Sequence, residues 1–136
     1  MRAPILLYRL RLGWLLGGRF LLLEHRGRSS GKRRRAVIEV VGNDRSTGAY
    51  WVAAAYGDRS DWYRNVTVEP RVRVTVGGKR FRAMATALSG DESKAVLVRY
   101  AEEHPAAARG LLRLLGYESF EQLMDRVPVI EFRRSD

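Results

Sequence analysis

Residues 71–88 read RVRVTVGGKRFRAMATAL, two strand-like runs joined by Gly77-Gly78. A two-residue glycine turn accepts positive φ at both central positions, as the twist of a tight hairpin requires. The turn sets a register in which Val76 faces Lys79, Thr75 faces Arg80, Val74 faces Phe81 and Arg73 faces Arg82. One side of the hairpin then carries Val72, Val74, Phe81 and Ala83, a core face. The other carries Arg71, Arg73, Arg80 and Arg82. Arg73 directly across from Arg82 costs roughly a few tenths of a kcal/mol unless a negative charge lies between them. Two readings stay open for that face: solvated arginines on an open sheet, or a seat for an anion.

Working outward, the hairpin belongs to a run of antiparallel strands. Strands are predicted over 20–25, 35–42 and 49–55, with NDRSTG (43–48) supplying turn chemistry. A short helix is predicted over 59–67, capped by Asp58 or Ser60 and stopped before Pro70. After Gly90, DESKAVLVRYAEEH reads as a helix whose acidic start follows Ser89 or Asp91. Pro105 ends it, AAARGLLRLL and ESFEQLMDRV give two further short helices, and PVIEF closes the chain as a strand. Upstream, Pro4 and Gly17-Gly18 bracket a helix over 4–16. The class is α+β with a small barrel-like sheet. One domain spans 1–136, divided into an N-terminal helix (1–18) and the barrel portion (19–136).

The chain has 136 residues, 25 of them Lys or Arg against 15 Asp or Glu, for a formal charge of +10. A field that positive favours nucleic acid, an anionic membrane or a polyanionic small molecule. No cysteine is present, which removes disulfides, thiolate catalysis and Cys-ligated metal centres. His25 and His104 are the only imidazoles, too few for a His-rich metal site. Arg9, Arg11 and Arg19 interrupt the leucine-rich stretch over 2–23, well short of the roughly 20 apolar residues a spanning helix needs. No small-residue cleavage site follows it. These features fit a cytoplasmic protein, with peripheral contact at a membrane surface as the alternative for the N-terminal segment.

Residues 25–36, HRGRSSGKRRRA, concentrate six of the basic residues between two apolar runs. GRSSGKR resembles the end of a phosphate-binding P-loop, but three residues rather than four separate its glycines. Arg rather than Ser or Thr follows the lysine, and a strand follows where a helix is needed. No G-x-G-x-x-G and no G-x-S-x-G occurs, and Glu102 and Glu103 point to different faces of a helix. No protein nucleophile stands out, so any redox or transfer chemistry belongs to a cofactor. Gly27 and Gly31 allow main-chain N–H groups to turn outward as an anion nest. Ser29 and Ser30 add hydroxyls, and Arg28, Lys32, Arg33, Arg34 and Arg35 add charge. A solvated turn and a seat for an anion both fit these residues.

Taken in order, GRSSGKRRR, a strand ending AAAYG, DWYRN, EPRVRVTVGGKRFRA and a closing P-V-I-E-F form a pattern. It resembles the deazaflavin-dependent nitroreductases, also called coenzyme F-420-dependent quinone reductases, over roughly residues 20–133. The resemblance implies a split β-barrel that binds reduced 8-hydroxy-5-deazaflavin, a flat ring with a phosphodiester and a glutamate tail. By similarity, Arg28, Ser29 and Ser30 would hold the phosphate and tail, with Arg34, Arg35, Ala36 and Val37 alongside. Ala53, Ala54, Ala55 and Tyr56 would lie against the ring. Asp61, Trp62, Tyr63, Arg64 and Asn65 would line the phosphate and ribityl side. Taken without the resemblance, Trp62 and Tyr63 read as ordinary core aromatics.

The implied activity is hydride transfer to a small acceptor: a quinone, an activated alkene or a nitro compound. Tyr56, Tyr100 and His104 are the candidates for helping proton delivery. Three positions depart from the family pattern. Ser29 stands where many relatives carry Lys or Arg, Glu39 where some carry an active-site Tyr, and Ala55 where some carry Ser. The alternatives are a basic nucleic-acid-binding domain on the arginine face, or a binding protein of the same fold, either non-catalytic or using FMN. Nucleic acid is not the expected partner, because no aromatics interleave with the arginines. A second copy of the chain is a further partner considered, and no metal is expected.

Overall fold

A computed structural model of the chain describes residues 19–135. The helix expected over 4–16 lies outside them. Six strands, β1 (Phe20–Arg26), β2 (Arg33–Asp44), β3 (Ala49–Ala53), β4 (Arg71–Val76), β5 (Lys79–Ala87) and β6 (Val129–Arg134), close into a barrel. Their order is β1-β2-β3-β6-β5-β4, with β4 pairing back to β1, and every pairing is antiparallel. Among the described residues four α-helices accompany them: α1 (Asp61–Val68), α2 (Gly90–Glu103), α3 (Pro105–Leu115) and α4 (Phe120–Arg126).

The 71–88 hairpin adopts the register read from its turn, from Val76 against Lys79 down to Arg73 against Arg82. Gly77 and Gly78 take φ of 57° and 78°, a conformation that a β-carbon disfavours. The like-charge pair is answered from β1. Glu24 lies opposite Arg73 in the ladder, and its carboxylate accepts two bonds from Arg80, each 3.1 Å. Glu69 likewise accepts from Arg71 Nε at 2.8 Å. Two of the four arginines therefore have internal carboxylate partners.

Strand alternation separates two cores. Leu21, Leu23, Ile38, Val52, Val74 and Phe132 point into the barrel. The opposite parity of β2, β3 and β6 gives Val41, Ala53 and Val129, which pack against Leu97, Tyr100 and Leu123 of the helical layer. α1 closes one end of the barrel: Val66 enters the interior cluster, with Trp62 and Tyr63 packed against it. A bulge at Val41 shifts the β2–β3 register by one residue, and Gly42 is required there because a β-carbon would sit 2.9 Å from the Trp51 ring.

Several element boundaries differ from the sequence reading. β2 begins at Arg33, so Arg33, Arg34 and Arg35 are strand residues and the loop shrinks to 27–32. β3 ends at Ala53. The Ala54 N–H donates to Pro128 O (2.8 Å) and its carbonyl accepts from the Gly57 N–H (2.8 Å), which turns the chain into a short 3-10 segment, Gly57–Arg59. Ser60 holds the N-cap position of α1 without a side-chain cap bond. Ser89 does cap α2, in a reciprocal box with Glu92. Pro105 is the first residue of α3, where its fixed φ suits the opening turn.

Candidate active site

An open cleft of about 2410 Å³ lies between the outer side of β2 and α3. Its rim is basic: Arg33, Arg34 and Arg35 on β2, with Arg19, Arg45 and Arg109 further along. One wall is built of small residues where β3 runs out, Ala53 and Ala55, followed by the half-exposed Tyr56. The opposite wall is the apolar side of α3, where Ala107, Gly110, Leu111 and Leu114 recur at helical spacing. Asp61 and Trp62 enter from the start of α1, and Tyr100 and His104 from the end of α2. A charged rim, a wall without bulk and an apolar far wall together suit a flat ligand with an anionic extension.

The basic loop is organised inward. The Gly27 N–H donates to Lys32 O (2.9 Å), the Gly31 N–H to Gly27 O (2.8 Å) and the Lys32 N–H to Ser30 Oγ (3.2 Å). The expected main-chain anion nest is therefore largely closed, a correction to the reading of the two glycines. Gly27 matters for space: a β-carbon there would lie 2.7 Å from Ser30 Oγ. The loop is tied to α1 by Asn65, which is 2% exposed. Asn65 Oδ1 accepts from the Arg28 backbone N–H (3.0 Å) and from Arg28 Nη1 (2.8 Å). Arg28 Nη2 lies 3.6 Å from Asp61. On its other side, Asn65 Nδ2 lies 3.1 Å from Nδ1 of His25, itself 4% exposed. Burial is the first cause holding His25 below the ordinary histidine range, and Arg34, its ladder partner, adds to it.

A second polar pair lies along the cleft. Tyr100 Oη donates to Glu39 Oε2 at 2.5 Å, joining α2 to β2. Burial and the carboxylate push the Tyr100 phenol far up, so it stays protonated at any ordinary pH. The Tyr100 hydroxyl is thus committed to its hydrogen bond with Glu39, and the ring packs at 5.8 Å from that of His104. Tyr100 positions Glu39 rather than serving as a free proton donor.

The chain matches a family model over most of its length. The model described as F-420H(2)-dependent quinone reductase matches residues 9–110. The chain belongs to that family. A candidate F-420H(2)-dependent quinone reductase of Mycobacterium tuberculosis is 38% identical over 74 residues, covering 53% of this chain and 60% of that protein. A solved F-420H2-dependent reductase, FDR-A, superposes with a TM-score of 0.61 at 26% identity, covering 85% of this chain and 94% of its own. A structure described as a domain-swapped dimer has the same TM-score of 0.61 at 23% identity, covering 96% of this chain and all of its own, and shows the shared fold. The α+β split barrel expected from the sequence is the architecture observed.

For this member of the quinone reductase family, the expected site residues divide into two groups. Arg34, Arg35, Ala36, Val37, Ala53, Ala55, Tyr56, Asp61 and Trp62 line the cleft, as do Tyr100 and His104. Arg28, Ser29, Ser30, Ala54, Tyr63, Arg64 and Asn65 do not. Ala54 is fully buried, and Tyr63 packs edge-to-face on Trp62 with ring centroids 6.2 Å apart. Ser29, Ser30 and Arg64 are exposed, and Asn65 with Arg28 forms the clip described above. Among the cleft residues without a role in the sequence reading are His25 and the α3 wall of Ala107, Gly110, Leu111 and Leu114, while Glu39 was noted there only as a departure from the family pattern. A lone carboxylate inside the apolar run AVIEVV was the available signal for Glu39.

Proposed function

We propose that this chain is a reductase that binds coenzyme F-420 in the cleft and passes reducing equivalents to a small acceptor held against the same wall. The observation that carries this reading is the union, in one cleft, of an arginine rim with a wall of Ala53 and Ala55. Arg34 and Arg35 would hold the anionic phosphate and tail, with Arg33 extending the rim. Ala53 and Ala55 would let a flat ring approach the backbone, and Trp62 would bound it from α1. When bound, reduced deazaflavin supplies a hydride. The apolar side of α3 would orient the acceptor and exclude water. A quinone suits that wall, being flat and largely apolar. Tyr56 and His104, both exposed in the cleft, are the groups placed to hold a proton near the acceptor.

The test is a fluorescence titration with oxidised F-420, with FMN and a DNA oligonucleotide as comparators. Saturable F-420 binding that weakens in Arg34→Ala is expected. DNA binding with a steep salt dependence and no response to F-420 would overturn the proposal in favour of a nucleic-acid-binding domain.

A further inference from the structure

His25 is a buried imidazole that the reading above leaves without a role, and its protonation state follows from its neighbours. Arg28 offers only N–H donors to Asn65, so the Asn65 carboxamide must turn its oxygen toward Arg28. Its Nδ2 then faces His25 Nδ1 at 3.1 Å as a donor, and Nδ1 must accept. The proton of the neutral ring is thereby fixed on Nε2. That atom is not sealed in: the described residues contain no buried, unpartnered side-chain nitrogen, and His25 lines the cleft. Around it stand Arg34, directly across the ladder, and Asp61, which is ion-paired to Arg28.

We propose that His25 is a ligand-binding residue whose Nε2–H donates to an anionic phosphate oxygen in the cleft, with Asn65 fixing its tautomer. The inference rests on the proposed function and extends it to an uncharged, directional donor. Arginines alone attract any anion, whereas an N–H aimed by a rigid buried amide selects where the oxygen sits. Phosphate is the favoured acceptor over a neutral carbonyl because the surrounding charge is net positive: Arg28 and Arg34 against Asp61.

Two substitutions separate the two ring nitrogens. His25→Asn places an amide near Nδ1, able to pair with Asn65, and removes the cleft donor. His25→Gln reaches further and restores a donor near the Nε2 position. F-420 affinity is expected to fall roughly ten- to a hundredfold in His25→Asn, the range for one hydrogen bond to a charged acceptor, and to recover largely in His25→Gln. Nitrogen-15 NMR of the ring in the unliganded wild-type protein should show the Nε2–H form, and its proton should shift when F-420 is added. Equal F-420 affinity in wild type and His25→Asn, or an Nδ1–H ring, would overturn the inference while leaving the proposed function standing. Should His25→Asn fail to fold, the wild-type ring spectrum decides. Should F-420 itself fail to bind, the proposed function falls. The His25 donor is then judged with inorganic pyrophosphate: an Nε2–H shift sustains it, and no shift overturns it.

Discussion

The Tyr100 hydroxyl on α2 donates a hydrogen bond to the Glu39 carboxylate on β2 across 2.5 Å. The bond fastens the helical layer to the barrel at the wall of the cleft, and it turns a carboxylate inside an apolar strand into a held group. Tyr100→Phe removes the donor and leaves Glu39 half-buried without it, at a cost of about 1.5–3 kcal/mol, the range for a bond to a charged group. Glu39→Gln keeps an oxygen able to accept from Tyr100 and should cost less. Chemical denaturation of the two variants checks this ordering. In turnover, both should shift the acceptor KM more than the F-420 affinity.

Asn65 is the keystone of the loop. Asn65→Ala strands Arg28 N–H groups and His25 Nδ1, and each buried unpaired group costs about 1–3 kcal/mol. Arg28→Ala is milder, because the Asn65 oxygen keeps the backbone N–H of residue 28 at 3.0 Å. Hydrogen exchange of the 27–32 amides should accelerate in Asn65→Ala and change less in Arg28→Ala.

The low position of His25 carries a sign for stability against pH. The folded state disfavours the imidazolium, through burial and Arg34, with Asp61 opposing. Between the folded value and the ordinary 6.5 the unfolded chain binds the extra proton, so stability rises with pH there. This contribution is present above 6.5 and is lost as pH falls through the folded value. Protonation would also set two donors face to face, Nδ1–H against Asn65 Nδ2. His25→Gln should remove this part of the acid limb, as read by melting temperature across the acidic range.

Space on the alanine wall is the easiest feature to challenge. Ala55→Leu adds bulk to a half-buried cleft residue that belongs to neither core cluster. F-420 affinity should fall more than tenfold, while the melting temperature moves by only a few degrees, the order expected of a non-core change. Ala54→Leu is a useful contrast: Ala54 is 0% exposed, so that variant should lose stability through overpacking.

Much of the fold was legible because its signals are local. The Gly77-Gly78 turn carried the hairpin register residue by residue, and the acidic stretch after Ser89 or Asp91 announced the start of α2. What was not legible depends on partners far apart in sequence. His25 and Asn65 are 40 residues apart, and Tyr100 lies 61 residues from Glu39. No periodicity brings such pairs together. The loop glycines misled for a related reason: composition allows outward N–H groups, but the local hydrogen bonds to Lys32 and Gly27 carbonyls are shorter routes to satisfaction. Arg28 shows the same divide, since charge alone gave it an anion while the fold gave it Asn65 and Asp61.

The proposed function has the cleft hold a deazaflavin and a reducible acceptor together. Its most direct test is an anaerobic mixture of the protein, F-420H2 and a soluble naphthoquinone, followed by the returning absorbance of oxidised F-420. Quinone-dependent reoxidation in proportion to enzyme is expected, falling in Arg34→Ala and Ala55→Leu. No enzyme-dependent reoxidation, with no F-420 binding in the accompanying titration, would contradict it.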